Sequence, residues 1–507
     1  MEVEDAAVWE LFERGLAIAG LLGRDGLRPV QEALRSIRVR WSPGWRKSLY
    51  LALYRNPTVF WLASSDMALK AACALGALAA ALLVAFPSLH PLLSLVTVLG
   101  PFILLTEPMM VELSVLAAVL SPLKYTHTSL PLLAAYSCHL PSAVLRLFVF
   151  RLMLSAGLVK WFGSPKWRDL TAMEVHYETQ PLPNRLSFYF HLYTPKWAHK
   201  MSTLVALVVE LPLCFLVFYP SWEGRLLVFV ANAGLMAMIN LTGNYGHLGL
   251  TTVVASIPLL DDWMLPSFLQ HASSSDKVTA SAWVELAVVT YAAAYLVLSI
   301  VPLVDVTKTR PLPDVVYWLY GLVSPYCLVN VYGMFAGLHD KRWELVVEGS
   351  DDGQTDWRRY GFYFKPSRPS HLPLIVTPPT YWPRLDWHLW IIPLSVQKGN
   401  PLPPEWYKAF LAGLLKNTPA VLALVQHNPF TDKPPAYIRT RICEYAFAQR
   451  GKGRREGDWW VERDLGVYGG ELAYDLDNLW TLGIDVTKHL DLPNKDKSGV
   501  TSYKVSM

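Results

Sequence analysis

Between Met67 and Leu338 the chain carries a succession of apolar runs, several of which reach the ~20 residues needed to cross the core of a bilayer. Backbone at that depth has no water to bond with, so it must be helical or enclosed by other protein. The candidate segments are Met67–Phe86, Leu92–Leu120, Leu130–Val159, Met201–Tyr219, Leu226–Leu260, Ala282–Val304 and Val315–Leu338, and five to seven membrane helices are expected from them. Hydrophobic residues make up 52% of the chain and charged ones 17%, a balance that fits a membrane protein with a substantial soluble part. The net charge of +4 is small and dispersed, so nucleic acid is not an expected partner and membrane lipid is.

Residues 1–66 form an amphipathic, basic region in which Arg35, Arg38, Arg40, Arg46, Lys47 and Arg55 precede the first run, favouring a cytoplasmic amino terminus. No signal peptide is apparent, so the first membrane helix would itself act as the targeting signal. The five cysteines, Cys73, Cys138, Cys214, Cys327 and Cys443, are isolated and show neither a disulfide framework nor a redox pair.

Polar residues interrupt the apolar half at three places. In the first, Arg151 to Asn184, Arg151 and Lys160 sit in or beside an apolar run, where a central cation costs roughly 2.5–3.5 kcal/mol and calls for a partner. Ser164 and Pro165 offer an N-cap and first-turn residue for a helix carrying Trp167, Glu174, His176 and Glu178, which Gln180-Pro181-Leu182-Pro183-Asn184 would end. The second is Glu210-Leu211-Pro212, and the third runs from Asn240 through Thr242-Gly243-Asn244-Tyr245 to His247. Glu107 and Glu112 need a cation such as Arg146 or Arg151. Arg151, Lys160, His176, Gln180, Asn184, Glu210, Asn240 and Asn244 are therefore the candidate polar membrane cluster. Glu174 and Glu178 share one helical face with His176 roughly opposite, so no metal site follows, and no motif calls for a cofactor.

After Leu338 the composition changes. Two β-rich runs flank Ser350-Asp351-Asp352-Gly353 as in a hairpin, Glu405–Leu415 has helical spacing, Thr418–Val425 reads as a second short helix, and Tyr437–Phe447 alternates with period two. The expected fold class is an α-helical multi-pass membrane bundle followed by a β-rich α+β soluble carboxy-terminal domain. The bundle spans 67–340 with a polar loop at 160–200, the soluble domain spans 341–450, and 451–507 forms an extension or tail.

Several ordered motifs resemble the lipase maturation factor family of endoplasmic reticulum membrane proteins. In the membrane half these are Gly157-Leu158-Val159-Lys160, Trp167, Leu170, Ala172, His176, Gln180 to Asn184, Glu210-Leu211-Pro212, Thr242 to Tyr245 and Asp261-Asp262. In the second half they are Tyr363, Lys365-Pro366, Pro383 to Trp387, Thr418 to Leu422, Asn428-Pro429-Phe430, Pro434-Pro435 and Tyr437-Ile438-Arg439. The resemblance implies a multi-pass protein whose carboxy-terminal domain lies in the lumen and assists folding and assembly of dimeric secreted lipases. The membrane half is also distantly similar to vitamin K-dependent carboxylases. The chain departs from the family pattern in having no cysteine-rich luminal domain and no usable glycosylation sequon outside the membrane.

Three functions follow as expectations: a factor that holds a client protein, with a lipase as the family's client; a structural subunit of an organellar membrane complex, in an inner membrane; or a membrane-embedded enzyme acting on a lipid or lipid-presented group. The first is the leading one and names no catalytic residue. Its candidate partner-binding residues are Arg384, Asp386, Trp387, Asn428 and Phe430.

Overall fold

A computed structural model describes residues 108–124, 140–266, 282–307, 311–371, 384–400, 402–449 and 457–473, with a few shorter stretches and single positions besides. The basic region 1–66 (apart from Ser65), Glu107 and most of Met67–Phe86 lie outside these residues.

The membrane half contains α1 (Pro108–Lys124), α2 (Leu140–Gly163), α3 (Pro165–Arg168), α4 (Ala172–Thr179), α5 (Arg185–Tyr193) and α6 (Lys196–Glu210, continued by a 3-10 turn, Leu213–Phe218). It continues with α7 (Trp222–Thr242), α8 (Leu248–Ala255), α9 (Ala282–Leu298), α10 (Ile300–Asp305) and α11 (Asp314–Val323). Among the described residues four helices are long and apolar enough to cross a membrane: Leu140–Gly163, Lys196–Phe218, Trp222–Thr242 and Leu286–Asp305. Pro108–Leu120 and Leu248–Leu259 are shorter apolar helices.

Three departures from expectation have local causes. The run Leu226–Leu260 breaks after Thr242, because Gly243 is fully extended (φ −160°, ψ 162°) and a turn to His247 separates α7 from α8. A Cβ on Gly243 would lie 2.3 Å from the Tyr245 ring and 2.4 Å from Gln180 Oε1, so only glycine fits there. The run Val315–Leu338 is helical only to Val323; after a 3-10 turn Cys327 takes a left-handed conformation, and irregular chain carries Asn330 and Tyr332 inward. The inward-turned groups of that backbone are bonded within the protein: the Asn330 amide and Tyr332 hydroxyl donate to Glu112 and the Tyr332 amide to Ser155. The helix expected after Ser164 is two pieces, α3 and α4, divided at Leu170 with φ 58°, and the Ser164 hydroxyl makes no capping bond.

The carboxy-terminal half is a four-stranded antiparallel sheet in the order β2-β1-β3-β4, made of β1 (Arg342–Ser350), β2 (Arg358–Arg359), β3 (Tyr437–Phe447) and β4 (Trp460–Ala473). Among the described residues three helices accompany it: α12 (Arg384–Gln397), α13 (Glu405–Leu415) and α14 (Pro419–Leu422). The sheet therefore extends past residue 450, through a strand the sequence reading left without structure. On β3 the two faces are covered at different ends. Ile438 and Ile442 pack with Leu345, Val347, Phe410 and Leu414 under the helices. Cys443, Tyr445 and Phe447 point to the other side and pack with Val346, Trp460 and Phe188 of α5. A period-two strand buried by two different partners is what joins the soluble domain to the membrane half.

Candidate functional site

The polar residues of the membrane half sort into two buried ion pairs and a loop clamp. Arg151 on α2 pairs with Glu112 on α1, and neither side chain has any solvent exposure. Glu112 also accepts from Tyr295 (2.6 Å), Tyr332 (2.7 Å) and the Asn330 amide N–H (3.0 Å), while Arg151 donates to the Asn330 carbonyl (3.0 Å) and the Tyr295 hydroxyl (3.0 Å). A buried pair is tolerable when its remaining hydrogen-bonding capacity is used, and here it nearly is. Arg146, the other cation considered for the carboxylates, instead donates to the Pro258 carbonyl.

One helical turn before its end, α2 presents Lys160, which straddles both oxygens of Glu210 at 2.6 and 2.7 Å. Gly157 makes this possible, since a Cβ there would meet Leu211 at 2.7 Å. The sequence grouped Arg151 with Lys160 and Glu210; each cation has its own carboxylate. A third pair went unrecognised: Arg225 binds Asp261 at 2.6 Å and the carbonyls of Pro220 and Ser221.

The loop Gln180–Asn184 grips the broken end of α7. Gln180 Nε2 donates to the Thr242 carbonyl (2.7 Å) and Asn184 Nδ2 to the Leu241 carbonyl (3.0 Å), satisfying two acceptors that the end of the helix leaves open. The Tyr245 hydroxyl returns a bond to Gln180 Oε1 (2.6 Å), and the Asn244 amide donates to the Leu182 carbonyl (3.0 Å). Asn184 meanwhile caps α5 in a reciprocal box with Ser187. Asn240 stands apart, its amide against Gly249 on α8.

The other side of this loop carries the soluble domain. Arg342, the first residue of β1, donates to the carbonyls of Glu178 (3.1 Å), Gln180 and Pro181 (3.0 Å) and pairs with Glu344. Lys365 holds the opposite oxygen of Glu344 at 3.1 Å. The Glu178 carboxylate accepts the Phe447 amide (2.8 Å), and Trp390 donates to the Thr179 carbonyl (3.2 Å). Burial raises the Glu178 carboxyl above its ordinary value. Apolar packing closes the seam, with Phe188 against Phe447 and Trp459 at ring distances of 5.1 and 4.9 Å. Arg342 and Phe188 escaped the sequence reading, because nothing in a strand's first residue or a helix's buried face announces a contact with another domain.

His176 lies beside the clamp, its ring 4.8 Å from Phe335 and its Nδ1 buried without a partner. Burial first, and then the nearby Lys160 charge, lower its pKa to about 4. The imidazole is thus neutral in the folded protein and titrates near 6.5 in the unfolded one. The unfolded chain takes up the proton more readily, so this group's contribution to stability shrinks as pH falls from 6.5 towards 4. Replacing His176 with Phe should remove about 1.5 kcal/mol of the destabilisation that wild type suffers between pH 6.5 and pH 5. Thermal unfolding of both proteins across that range checks it, and parallel pH profiles would refute it.

Four of the five candidate partner-binding residues, Asp386, Trp387, Asn428 and Phe430, make contacts within the protein. Asp386 is buried and accepts the amides of Phe364 and Lys365, both at 3.0 Å. Trp387 packs near Tyr245 and Trp390, Asn428 bonds both backbone polar groups of Phe430, and Phe430 is in the core against Gly349. Arg384 is the first residue of α12. Among the described residues no group of three or more His, Cys, Asp or Glu side chains is placed to hold a metal ion.

Fold and seam together define a polytopic membrane protein with a small sheet domain clamped to its loops. Its relatives say which. The profile of the lipase maturation factor transmembrane domain matches residues 12–267, and that of the lipase maturation factor carboxy-terminal domain matches residues 328–469. Lipase maturation factor 1 of Bos taurus is 30% identical over 88% of this chain and 83% of its own length. Lipase maturation factor 2 of Xenopus laevis is 26% identical over 91% of this chain and 80% of its own, and that of Homo sapiens 28% identical over 87% and 77%. No solved structure matches. The chain belongs to the lipase maturation factor family.

Proposed function

We propose that this protein is a maturation factor of the endoplasmic reticulum membrane that assists the folding and assembly of a secreted lipase, holding its client through the carboxy-terminal domain close to the bilayer. The supporting observation is the seam: Arg342 on three loop carbonyls, Glu178 on the Phe447 amide and Phe188 in the sheet's apolar patch fix that domain against the membrane half. A rigidly placed domain meets a membrane-bound client in one orientation, which reduces the ordering that binding requires. The membrane carboxylates and cations are engaged with one another, Glu112 with Arg151 and Glu210 with Lys160, so they serve architecture in preference to catalysis.

The test is secretion of active lipase from cells lacking the gene and resupplied with it. Restoration of lipase activity per secreted molecule by the full chain supports the proposal. Unchanged lipase maturation in its absence, together with stoichiometric purification in a membrane complex, would overturn it in favour of a structural subunit.

A further inference from the structure

The corner between α5 and α6 exposes large aromatic side chains that the fold leaves uncovered. Trp197 is 70% exposed, Tyr193 60% and Tyr189 43%. From Trp197 one face of α6 continues outward as Met201, Leu204, Val205 and Val208, all exposed, at the helical spacing of a single stripe. This stripe begins the candidate span Lys196–Phe218, which places it to face lipid with its aromatic end where a span of that length leaves the hydrocarbon. At the opposite ends of α6 and α7, Tyr219, Trp222 and Trp263 are exposed as a second aromatic level.

Cations dominate the exposed charge that α5 and α6 themselves carry at the corner, while the carboxylates nearest to them, Glu174 and Glu178, sit half-buried on α4 beside His199 and His191. Arg185, Lys196 and Lys200 are exposed, and no carboxylate occurs between Gln180 and Val209. Among the described residues none of these three cations takes part in an ion pair. Lys196 is also the first residue of α6, where a cation opposes the helix dipole. Arg185 lies 5.3 Å over the Trp459 ring, so the cationic surface is continuous with the edge of the soluble domain.

We propose that this corner is a binding surface for anionic phospholipid headgroups, with Lys196 and Lys200 contacting the headgroup charge and Tyr193 and Trp197 seated at the interface beneath. Exposed cations outside any ion pair, set above an aliphatic stripe, favour lipid over a protein surface, because both features match the depth profile of a bilayer leaflet. The proposal does not depend on the identity of the client.

The experiment is amide hydrogen exchange on the full chain in vesicles of phosphatidylcholine alone and of phosphatidylcholine with phosphatidylserine. Each lysine at an anionic surface is worth about a fivefold factor. Exchange across 185–200 should therefore be at least about fivefold slower in the mixed vesicles at low salt. The difference should disappear at high salt and in the Lys196→Gln/Lys200→Gln variant, which keeps Arg185 over Trp459. Exchange across β3 should be the same in every sample, showing that the variant is folded. Equal rates in the two compositions, a difference that survives the double substitution, or protection that appears only on adding a protein partner would each overturn the proposal.

Discussion

Arg342→Met should loosen the carboxy-terminal domain from the membrane half, at a cost of about 3–5 kcal/mol, the usual range when one partner of a buried charged network is removed. Three carbonyls, on Glu178, Gln180 and Pro181, lose their donor at once. Glu344 retains only Lys365, and both are fully buried. Arg342→Lys keeps the charge but cannot reproduce a planar fork that reaches a carboxylate and several carbonyls together, so it should fall between. The readouts are limited proteolysis of the segment preceding β1 and thermal unfolding in mild detergent. Unchanged protection and an unchanged midpoint in the Met variant would show that Arg342 does not hold the seam. If the proposed function is correct, lipase maturation should fall in the same variant while the membrane half still inserts.

Glu112→Leu should be comparably severe within the bilayer. It leaves Arg151 with a carbonyl and a hydroxyl but no counter-charge, and releases the hydroxyls of Tyr295 and Tyr332, for a loss of about 3–5 kcal/mol. The double variant Glu112→Leu/Arg151→Met should recover much of it, since apolar groups of similar volume often replace a buried pair without loss. Thermal stability of the three proteins in detergent decides. A double variant no better than the single one would mean that the Arg151 charge is not the source of the damage. The Lys160–Glu210 pair, where the lysine side chain keeps 10% exposure, should show the same pattern more weakly.

The sequence made the membrane half legible where patterns are local. Apolar length located α2, α6 and α9, and the prolines of Gln180–Asn184 correctly marked the end of α4. Proximity was harder to read. Lys160 and Glu210 are fifty residues apart, and Arg151 meets chain 179 residues away at Asn330, so sequence could say that each charge needed a partner without saying which. Helix breaks were misjudged for a related reason. A run such as Leu226–Leu260 is apolar throughout, and its interruption at Gly243 depends on the amides of Gln180 and Asn184 taking over the carbonyls it exposes. In the soluble domain the alternation of Tyr437–Phe447 predicted its strand, while β4 was hidden by Glu462, Arg463 and Asp464, of which the two carboxylates belong to the sheet's polar ladder with Arg359 and Arg441.

The choice of main-chain carbonyls as the acceptors for Arg342 has a consequence for how the two halves tolerate sequence drift. A guanidinium that reads carbonyl positions is indifferent to which side chains occupy 178, 180 and 181, provided the backbone keeps its shape. Pro181 and Pro183 hold that shape by fixing φ and by restricting the residue before each. The arginine's share of the attachment therefore depends on loop geometry, beside the Glu178, Trp390 and Phe188 contacts that complete the seam. Loop substitutions that spare Glu178, Gln180 and Asn184 should be neutral to the arginine's contacts until they relax a proline, and transplanting the domain onto a foreign membrane half should fail unless the prolines travel with it.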